Sequence, residues 1–338
     1  MNTKRILITL GPSSLKEDII RGVEKEDIYL FRINLSHTPV EKVEGTINKI
    51  RKYTNVPICL DSEGAQIRNQ KVKGGQTAFS AGDIVKIHFD EVLGDSNNIS
   101  FTPIGIAKEF VEGDEIRIDF DAACIKVFAK NTDYCLAKVL VGGKIGGNKA
   151  ANVNREMELP SITPKDKQAI SIGLKMGINN YALSFAGSPE DVSMFRELTG
   201  PNAKIISKIE SHKGLLNLDG IIKESDEILI DRGDLSREVS LEKIPFLQRR
   251  IIASAAALGK PVYVATNLLE SMLHSIEPTR AEINDVVCSL RMGGNGLVLA
   301  AETAIGKFPV ESVRITRKLI NQFYKWTPNS SIEDILIS

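Results

Sequence analysis

Short apolar runs rich in β-branched residues recur along the chain, and patterns typical of helices separate most of them. The runs predict strands at residues 5–11, 28–36, 57–62, 181–185, 203–210, 227–234, 261–267 and 296–303. Runs that are apolar at nearly every position are typical of parallel strands buried on both faces. Eight such strands alternating with helices predict an α/β fold of the (β/α)8 barrel type.

The alternation breaks once, between the third predicted strand and the helix that follows it. From about Asn69 to Gly147 the apolar residues recur with period two, and turn signals separate short strands. We therefore predict a barrel domain of residues 1–68 and 149–328, an inserted small antiparallel β-barrel of residues 69–148, and a tail of residues 329–338. Because loops after barrel strands carry active sites, the insertion is a candidate lid. An interaction module or a functionally silent insertion is the alternative.

Composition and charge argue against several classes of protein. Lys and Arg together number 43, and so do Asp and Glu, so no net charge favours binding to nucleic acid. No apolar run reaches the roughly 18 residues of a membrane span, and the first residues lack the pattern of a secretory signal. Four dispersed cysteines without a CxxC pair argue against a disulfide framework or structural zinc. We expect a cytoplasmic protein without nucleic-acid or membrane partners.

Polar and ionisable residues stand where many of the predicted strands end. They are Arg32, Asn34 and Ser36; Asp61 and Ser62; Lys208 and Glu210; Asp231, Arg232 and Asp234; Thr266 and Asn267; and Glu302 and Thr303. The carboxyl ends of barrel strands form one mouth, where polar residues are typical of a catalytic site. Charges that gather wherever strands meet solvent are the alternative. They do not readily explain Lys-Ile-Glu or Arg-Gly-Asp directly after four or more apolar residues.

Sequence blocks around these residues resemble the pyruvate kinase family. They include TLGPSS, FRINLSH, LDSEGAQIR, KIISKIES, ILIDRGDLS, GKPVYVATNLLESM and AAETAIGKFPVESV, in this order. The resemblance covers most of residues 3–325. Since the sequence ends at Ser338, we expect a short form that lacks the carboxy-terminal regulatory domain of most members.

The resemblance implies a phosphotransferase of glycolysis that moves the phosphoryl group of phosphoenolpyruvate to ADP, giving pyruvate and ATP. Such a transfer needs a cation to neutralise phosphate and carboxylate charge, and a positive group at the moving phosphoryl. The implied cofactor is Mg²⁺ or Mn²⁺, and we expect a homo-oligomer. One alternative is an enzyme of the same scaffold that stabilises the enolate of pyruvate or a related 2-oxo acid, as a decarboxylase, a lyase or a kinase with another acceptor. The other is a non-catalytic homologue.

Matching positions imply roles in catalysis and in binding the substrate and magnesium. The implied catalytic residues are Lys208 and Arg32 at the transferred phosphoryl group, Thr266 in proton delivery and Glu302 as a supporting or water-relay acid. The implied substrate-binding residues are Arg232, Gly233, Asp234 and Thr266. Glu210 and Asp234 correspond to the magnesium ligands. Lys208 and Glu210 are two residues apart on one strand, so their side chains point the same way.

Two further sets of residues are implied by the same matches. The residues that correspond to contacts with nucleotide phosphates are Arg32, His37, Arg68 and Lys149. The residues that correspond to an all-oxygen site for K⁺ are Asn34, Ser36, Asp61 and Ser62.

Departures from the family pattern lie mainly on the side expected to bind nucleotide. Where the family reads Asp-Thr-Lys-Gly-Pro-Glu-Ile-Arg, this chain has Glu63, Ala65 and Gln66 in place of Lys, Pro and Glu. Glu63 reverses a charge near the expected phosphates, and Gln66 leaves the dependence on K⁺ open. The other departures are Asp119-Phe120-Asp121-Ala122 for a lid turn, the loss of Pro-Gly after Lys149 and Asn152, and Ala186-Gly187-Ser188 for a basic pair. Asp231 stands where the family usually has a small apolar residue.

Overall fold

The computed structural model describes residues 3–64, 66–119, 122–155 and 157–337. The chain divides into two compact units, of which one comprises Met1–Gly64 with Ser161–Ser338 and the other Ala65–Pro160. Ala65, Phe120 and Asp121, three of the departures in the sequence, lie outside the described residues. Among the helices that are described, none combines the length and the apolar character that crossing a membrane requires.

The secondary structure of the described residues alternates strands and helices on both sides of a long run of strands. The strands are β1 (Arg5–Thr9), β2 (Leu30–Asn34), β3 (Ile58–Asp61), β4 (Arg68–Asn69), β5 (Gln76–Phe79), β6 (Ile84–His88), β7 (Asn98–Thr102), β8 (Glu115–Ile118), β9 (Ala123–Lys130), β10 (Tyr134–Val141), β11 (Gly143–Gly146), β12 (Ala151–Val153), β13 (Asn180–Leu183), β14 (Lys204–Ile209), β15 (Glu227–Asp231), β16 (Val262–Ala265) and β17 (Gly296–Leu299). The helices are α1 (Glu17–Glu24), α2 (Val40–Arg51), α3 (Pro164–Lys175), α4 (Pro189–Thr199), α5 (His212–Leu216), α6 (Leu218–Glu224), α7 (Arg232–Glu238), α8 (Ile244–Ala257), α9 (Arg280–Arg291), α10 (Ala301–Ala304), α11 (Pro309–Lys325) and α12 (Ile332–Ile337).

Within the described residues, eight strands close into a parallel barrel in the order β1, β2, β3, β13, β14, β15, β16 and β17. The predicted (β/α)8 barrel is therefore confirmed. The strands are shorter than the apolar runs suggested, because polar residues at their ends already begin the next element. After β15, helix α7 starts at Arg232, and α10 starts at Ala301, soon after β17.

Alternation along the barrel strands explains both the core and the mouth of the barrel. Residues that point inward form one buried cluster, which comprises Leu7, Leu30, Cys59, Ala182, Ile206, Leu229, Tyr263, Ala265 and Val298. Successive side chains of a strand point to opposite faces, so the next inward position is two residues further on. From Leu30, Cys59, Ile206 and Leu229, that step leads to Arg32, Asp61, Lys208 and Asp231. The alternation that buries the apolar residues inside the barrel therefore also places these charged residues together at the carboxyl ends of the strands.

The second unit is the inserted β domain, which is confirmed. In its described part, a seven-stranded sheet has the order β12, β8, β9, β10, β6, β7 and β4, and β11 pairs with β5. The pairs are antiparallel except for β6 with β7, which is parallel. The unit is longer than residues 69–148, because β4 pairs with β7 and β12 pairs with β8.

Candidate active site

Lys208 lies at the centre of a buried cluster of charges at the carboxyl end of the barrel strands. Its Nζ atom is 3.0 Å from Glu210 Oε2, 3.3 Å from Asp231 Oδ2 and 3.8 Å from Asp61 Oδ1. Burial disfavours the charged amine, but the three carboxylates outweigh burial and raise the pKa of Lys208. Lys208 is therefore a fixed positive charge in the barrel mouth.

Glu210 and Asp231 each direct one carboxylate oxygen at Lys208. Glu210 Oε1 accepts from the Phe185 amide at 2.7 Å, and Glu210 Oε2 lies 3.0 Å from Lys208 Nζ. Asp231 Oδ2 faces Lys208, whereas Oδ1 is buried and accepts no hydrogen bond from the described residues. Burial raises the pKa of Glu210 to about 8, against the opposing effect of Lys208. Burial acts in the same direction on Asp231, but Lys208 and Arg32 outweigh it and lower the pKa of Asp231.

The acidic groups fit a divalent cation. Glu210, Asp231 and Asp234 can each present one oxygen within 4.8 Å of the others. Hard cations such as Mg²⁺ and Mn²⁺ prefer carboxylate oxygens. Buried polar atoms are normally paired, so Asp231 Oδ1, which accepts no hydrogen bond from the described residues, could accept a cation as its partner. Asp234 also forms an ion pair with Arg237 at 3.0 Å.

Arg32 supplies a second fixed positive charge beside this cluster. It is 4% exposed, and its guanidinium is 3.1 Å from Asp61 Oδ2 while its Nε donates to Thr9 Oγ1 at 2.9 Å. Asp61 thus lies between Arg32 and Lys208. Two cations held in this way suit the binding of a group with several negative oxygens.

The residues predicted to bind K⁺ lie at the ends of the neighbouring strands β2 and β3. Asn34 and Asp61 are partners in the register of these strands. Asn34 Oδ1 accepts from the Ser36 amide at 2.9 Å, and the Ser62 carbonyl accepts from Ser184 Oγ at 2.7 Å. These oxygens are therefore gathered in one region, and each is engaged by another group of the protein.

Thr266 follows β16 in the left-handed region, with φ of 68°. A β-branched residue adopts this conformation only when its surroundings impose it. Thr266 Oγ1 accepts from the Gly233 amide at 2.8 Å and donates to the Ala265 carbonyl at 2.6 Å. The side chain of Arg232 donates to the Thr266 carbonyl at 2.6 Å and pairs with Asp285 at 2.7 Å. Arg232 therefore positions the Thr266 loop, and Gly233 contacts it through its amide.

Glu302 is hydrogen-bonded to the backbone of the loop after β16, which contains Thr266. It is 2% exposed, and its two carboxylate oxygens accept from the Leu269 amide at 3.1 Å and the Ala300 amide at 2.9 Å. With both oxygens bound to the backbone, Glu302 links the loop after β16 to the end of β17.

The residues predicted to contact nucleotide phosphates belong to different units. Arg32 lies in the barrel mouth, and His37 is exposed in the turn after β2. Arg68 and Lys149 belong to the second unit. There Arg68 donates to the Asn148 carbonyl at 3.0 Å, and Lys149 pairs with Asp119 at 3.2 Å.

The reversed charge at Glu63 is compensated within the barrel unit. Its carboxylate is 2.9 Å from Lys165 Nζ. Its amide donates to Asp166, a buried residue that also forms the capping box of α3 with Thr163. Glu63 therefore brings less uncompensated negative charge than the sequence alone suggested.

Ser184 is a described residue of the site that the sequence patterns did not identify. Its hydroxyl accepts from Lys208 at 3.2 Å, donates to the Ser62 carbonyl and lies 3.3 Å from Asp61 Oδ1. It directly follows the buried strand β13. Its position at a strand end is the signal that could have identified it.

Comparisons with known proteins connect this geometry to one family. The family described as "Pyruvate kinase, barrel domain" matches residues 1–313. The pyruvate kinase of Thermotoga maritima is 33% identical over 334 residues, which cover 96% of this chain and 72% of that protein. That of Bacillus licheniformis is also 33% identical, with 95% of this chain and 57% of the relative covered. The crystal structure of a pyruvate kinase from Cryptosporidium parvum superposes with a TM-score of 0.84 at 32% identity, covering 97% of this chain and 70% of that one.

Proposed function

The chain belongs to the pyruvate kinase family, a family of phosphotransferases, and we propose that it transfers the phosphoryl group of phosphoenolpyruvate to ADP. One observation carries the proposal: Lys208 and Arg32 flank Asp61 in a buried cluster that also contains Glu210. Phosphoryl transfer depends on positioning and on fixed positive charge more than on covalent chemistry. Lys208 and Arg32 supply two such charges at the barrel mouth.

Glu210 and Asp234 would hold the divalent cation, Mg²⁺ or Mn²⁺. When bound, such a cation neutralises charge on the phosphate and carboxylate groups of the substrate. The closeness of the Glu210 and Asp234 carboxylates, which present oxygens within 4.8 Å of each other, supports this assignment. We further propose K⁺ near Asn34, Ser36, Asp61 and Ser62, whose oxygens lie at adjacent strand ends.

The reaction proposed for the barrel mouth breaks one bond, forms another and adds a proton to carbon. The bond between phosphorus and the enol oxygen breaks, and a bond forms from phosphorus to a terminal phosphate oxygen of ADP. The enolate carbon then gains a proton, which leaves pyruvate and ATP. Lys208 would contact both the phosphoryl group and the enol oxygen, while Arg32, held by Asp61 and Thr9, would bind phosphoryl oxygens. The Thr266 hydroxyl would lie on the side from which the proton arrives, and Glu302 would support that loop.

Binding of the two substrates is proposed for different parts of the chain. The backbone of Arg232, Gly233 and Asp234 would bind the carboxylate of phosphoenolpyruvate, and the Gly233 amide would then exchange its hydrogen bond to Thr266 Oγ1 for one to the substrate. Arg32 and His37, together with Arg68 and Lys149 of the second unit, would contact the phosphates of ADP.

Product analysis by phosphorus-31 NMR tests the proposal. Phosphoenolpyruvate, ADP and Mg²⁺ with the protein should give ATP signals in proportion to the phosphoenolpyruvate consumed, and a chelator should stop the conversion. Release of inorganic phosphate without ATP, or the absence of conversion, would reject it. Thermal stabilisation by Mg²⁺ with oxalate but not by nucleotide would then point to enolate chemistry on a 2-oxo acid.

A further inference from the structure

We propose that Asp231 is a third carboxylate ligand of the divalent-cation site, so that the substrate-free protein binds the cation more tightly than Glu210 and Asp234 alone would allow. The proposal rests on the proposed function for the identity of the site. It goes further in assigning a cation ligand to a position where the family usually has a small apolar residue.

The geometry supports a ligand role for Asp231 beyond its contact with Lys208. Asp231 is 5% exposed, and it presents an oxygen within 4.8 Å of oxygens of Glu210 and Asp234. Its Oδ2 faces Lys208 at 3.3 Å, while its buried Oδ1 accepts no hydrogen bond from the described residues. The nearby Thr266 hydroxyl donates to the Ala265 carbonyl, and its proximity also helps to lower the pKa of Asp231. A cation is a partner that would satisfy Asp231 Oδ1, with oxygens of Glu210 and Asp234 within reach of the same ion.

Lys208 alone does not account for a carboxylate at this position. Its Nζ already has Glu210 Oε2 at 3.0 Å and Asp61 Oδ1 at 3.8 Å. A third acid makes the cluster one charge more negative than an apolar residue would. That additional charge attracts a divalent cation and repels a carboxylate or phosphate that arrives before the cation. Magnesium sites of one or two protein carboxylates generally rely on substrate oxygens to complete them, whereas a third protein carboxylate reduces that reliance.

Calorimetric titration of the substrate-free protein with Mn²⁺ tests the proposal. The wild type should bind one ion, and Asp231→Ala should weaken binding about tenfold or more, since even outer-shell partners contribute ten- to a hundredfold. Asp231→Asn keeps the side-chain volume, so its Mn²⁺ affinity should lie between those of the wild type and Asp231→Ala. Glu197→Ala removes an exposed acid on α4, and its Mn²⁺ affinity should equal that of the wild type. Circular dichroism of each variant establishes that it is folded.

Titration with oxalate provides the second measurement. The wild type should bind oxalate only after Mn²⁺ is added, whereas Asp231→Ala should also bind it measurably without the cation. Unchanged or tighter Mn²⁺ binding by Asp231→Ala would overturn the proposal, and so would a wild type that binds no Mn²⁺ without substrate. Because neither titration involves turnover, an inactive protein that binds Mn²⁺ through Asp231 would reject the proposed function and leave this inference standing.

Discussion

Replacing Lys208 by methionine should destabilise the barrel, because three buried carboxylates lose the cation that they share. The Nζ atom lies 3.0, 3.3 and 3.8 Å from oxygens of Glu210, Asp231 and Asp61. At an effective dielectric constant of about 20, each pair contributes about 4–6 kcal/mol before the desolvation of the ions is subtracted. Net of desolvation, removal of one partner from a buried ion pair costs about 3–5 kcal/mol.

Thermal unfolding in the presence of a chelator measures this loss. In a unit of about 240 residues, each kcal/mol lowers Tm by about 2–4 °C, so Lys208→Met should unfold about 6–20 °C below the wild type. Lys223→Met is the matched control, because Lys223 is exposed on α6. That control should change the free energy of unfolding by less than about 0.5 kcal/mol.

Divalent cations should distinguish this account from a general packing defect. Mn²⁺ replaces positive charge near the carboxylates, so it should raise the Tm of Lys208→Met by more than that of the wild type. A cation at one hundred times its dissociation constant stabilises by about 2.7 kcal/mol. The reasoning is refuted if Lys208→Met is as stable in chelator as Lys223→Met.

Three smaller perturbations test other parts of the structure. The Tyr181 hydroxyl is buried without a hydrogen-bond partner among the described residues, so Tyr181→Phe should raise the free energy of unfolding in urea by about 1 kcal/mol; a decrease would contradict this. Asp166→Ala should lower the free energy of unfolding by about 2 kcal/mol or more, because it removes both the capping box of α3 and the acceptor for the Glu63 amide; an unchanged urea midpoint would count against these roles. Burial opposes ionisation of Glu282, but hydrogen bonds from Ser271 and Thr279 outweigh it and lower its pKa from 4.5. This stabilisation is complete above pH 4.5 and is lost as the pH falls through the lowered pKa. The Tm difference between wild type and Glu282→Gln should therefore shrink as the pH falls below 4.5; a constant difference would argue against it.

The barrel could be predicted from the sequence because its strands are nearly continuous apolar runs. The ends of the strands could not be predicted in the same way. Arg232 falls within the strand predicted at residues 227–234, but in the structure it begins helix α7. The ends of the insertion also depend on distant pairing, as when Arg68 of β4 pairs with Thr102 of β7. Such pairings leave little local signal in the sequence.

The site shows the same division between local and distant signals. The alternation of β14 and β15 predicted that Lys208 and Asp231 lie at strand ends. It did not predict that Asp231 contacts Lys208, or that Ser184 joins them, because these contacts depend on the register of separate strands. The compensation of Glu63 by Lys165, which follows the whole inserted domain, likewise required the fold.

Lys208 and the charged residues around it are proposed to catalyse phosphoryl transfer from phosphoenolpyruvate to ADP. The most direct test is the initial rate of pyruvate formation from these substrates with Mg²⁺, measured with and without K⁺, for wild type, Lys208→Met and Lys223→Met. The account predicts turnover by the wild type and by Lys223→Met, and loss of about a hundredfold or more in Lys208→Met that remains folded. A folded wild type that binds Mg²⁺ and oxalate but forms no pyruvate, or a Lys208→Met variant that is fully active, would contradict it.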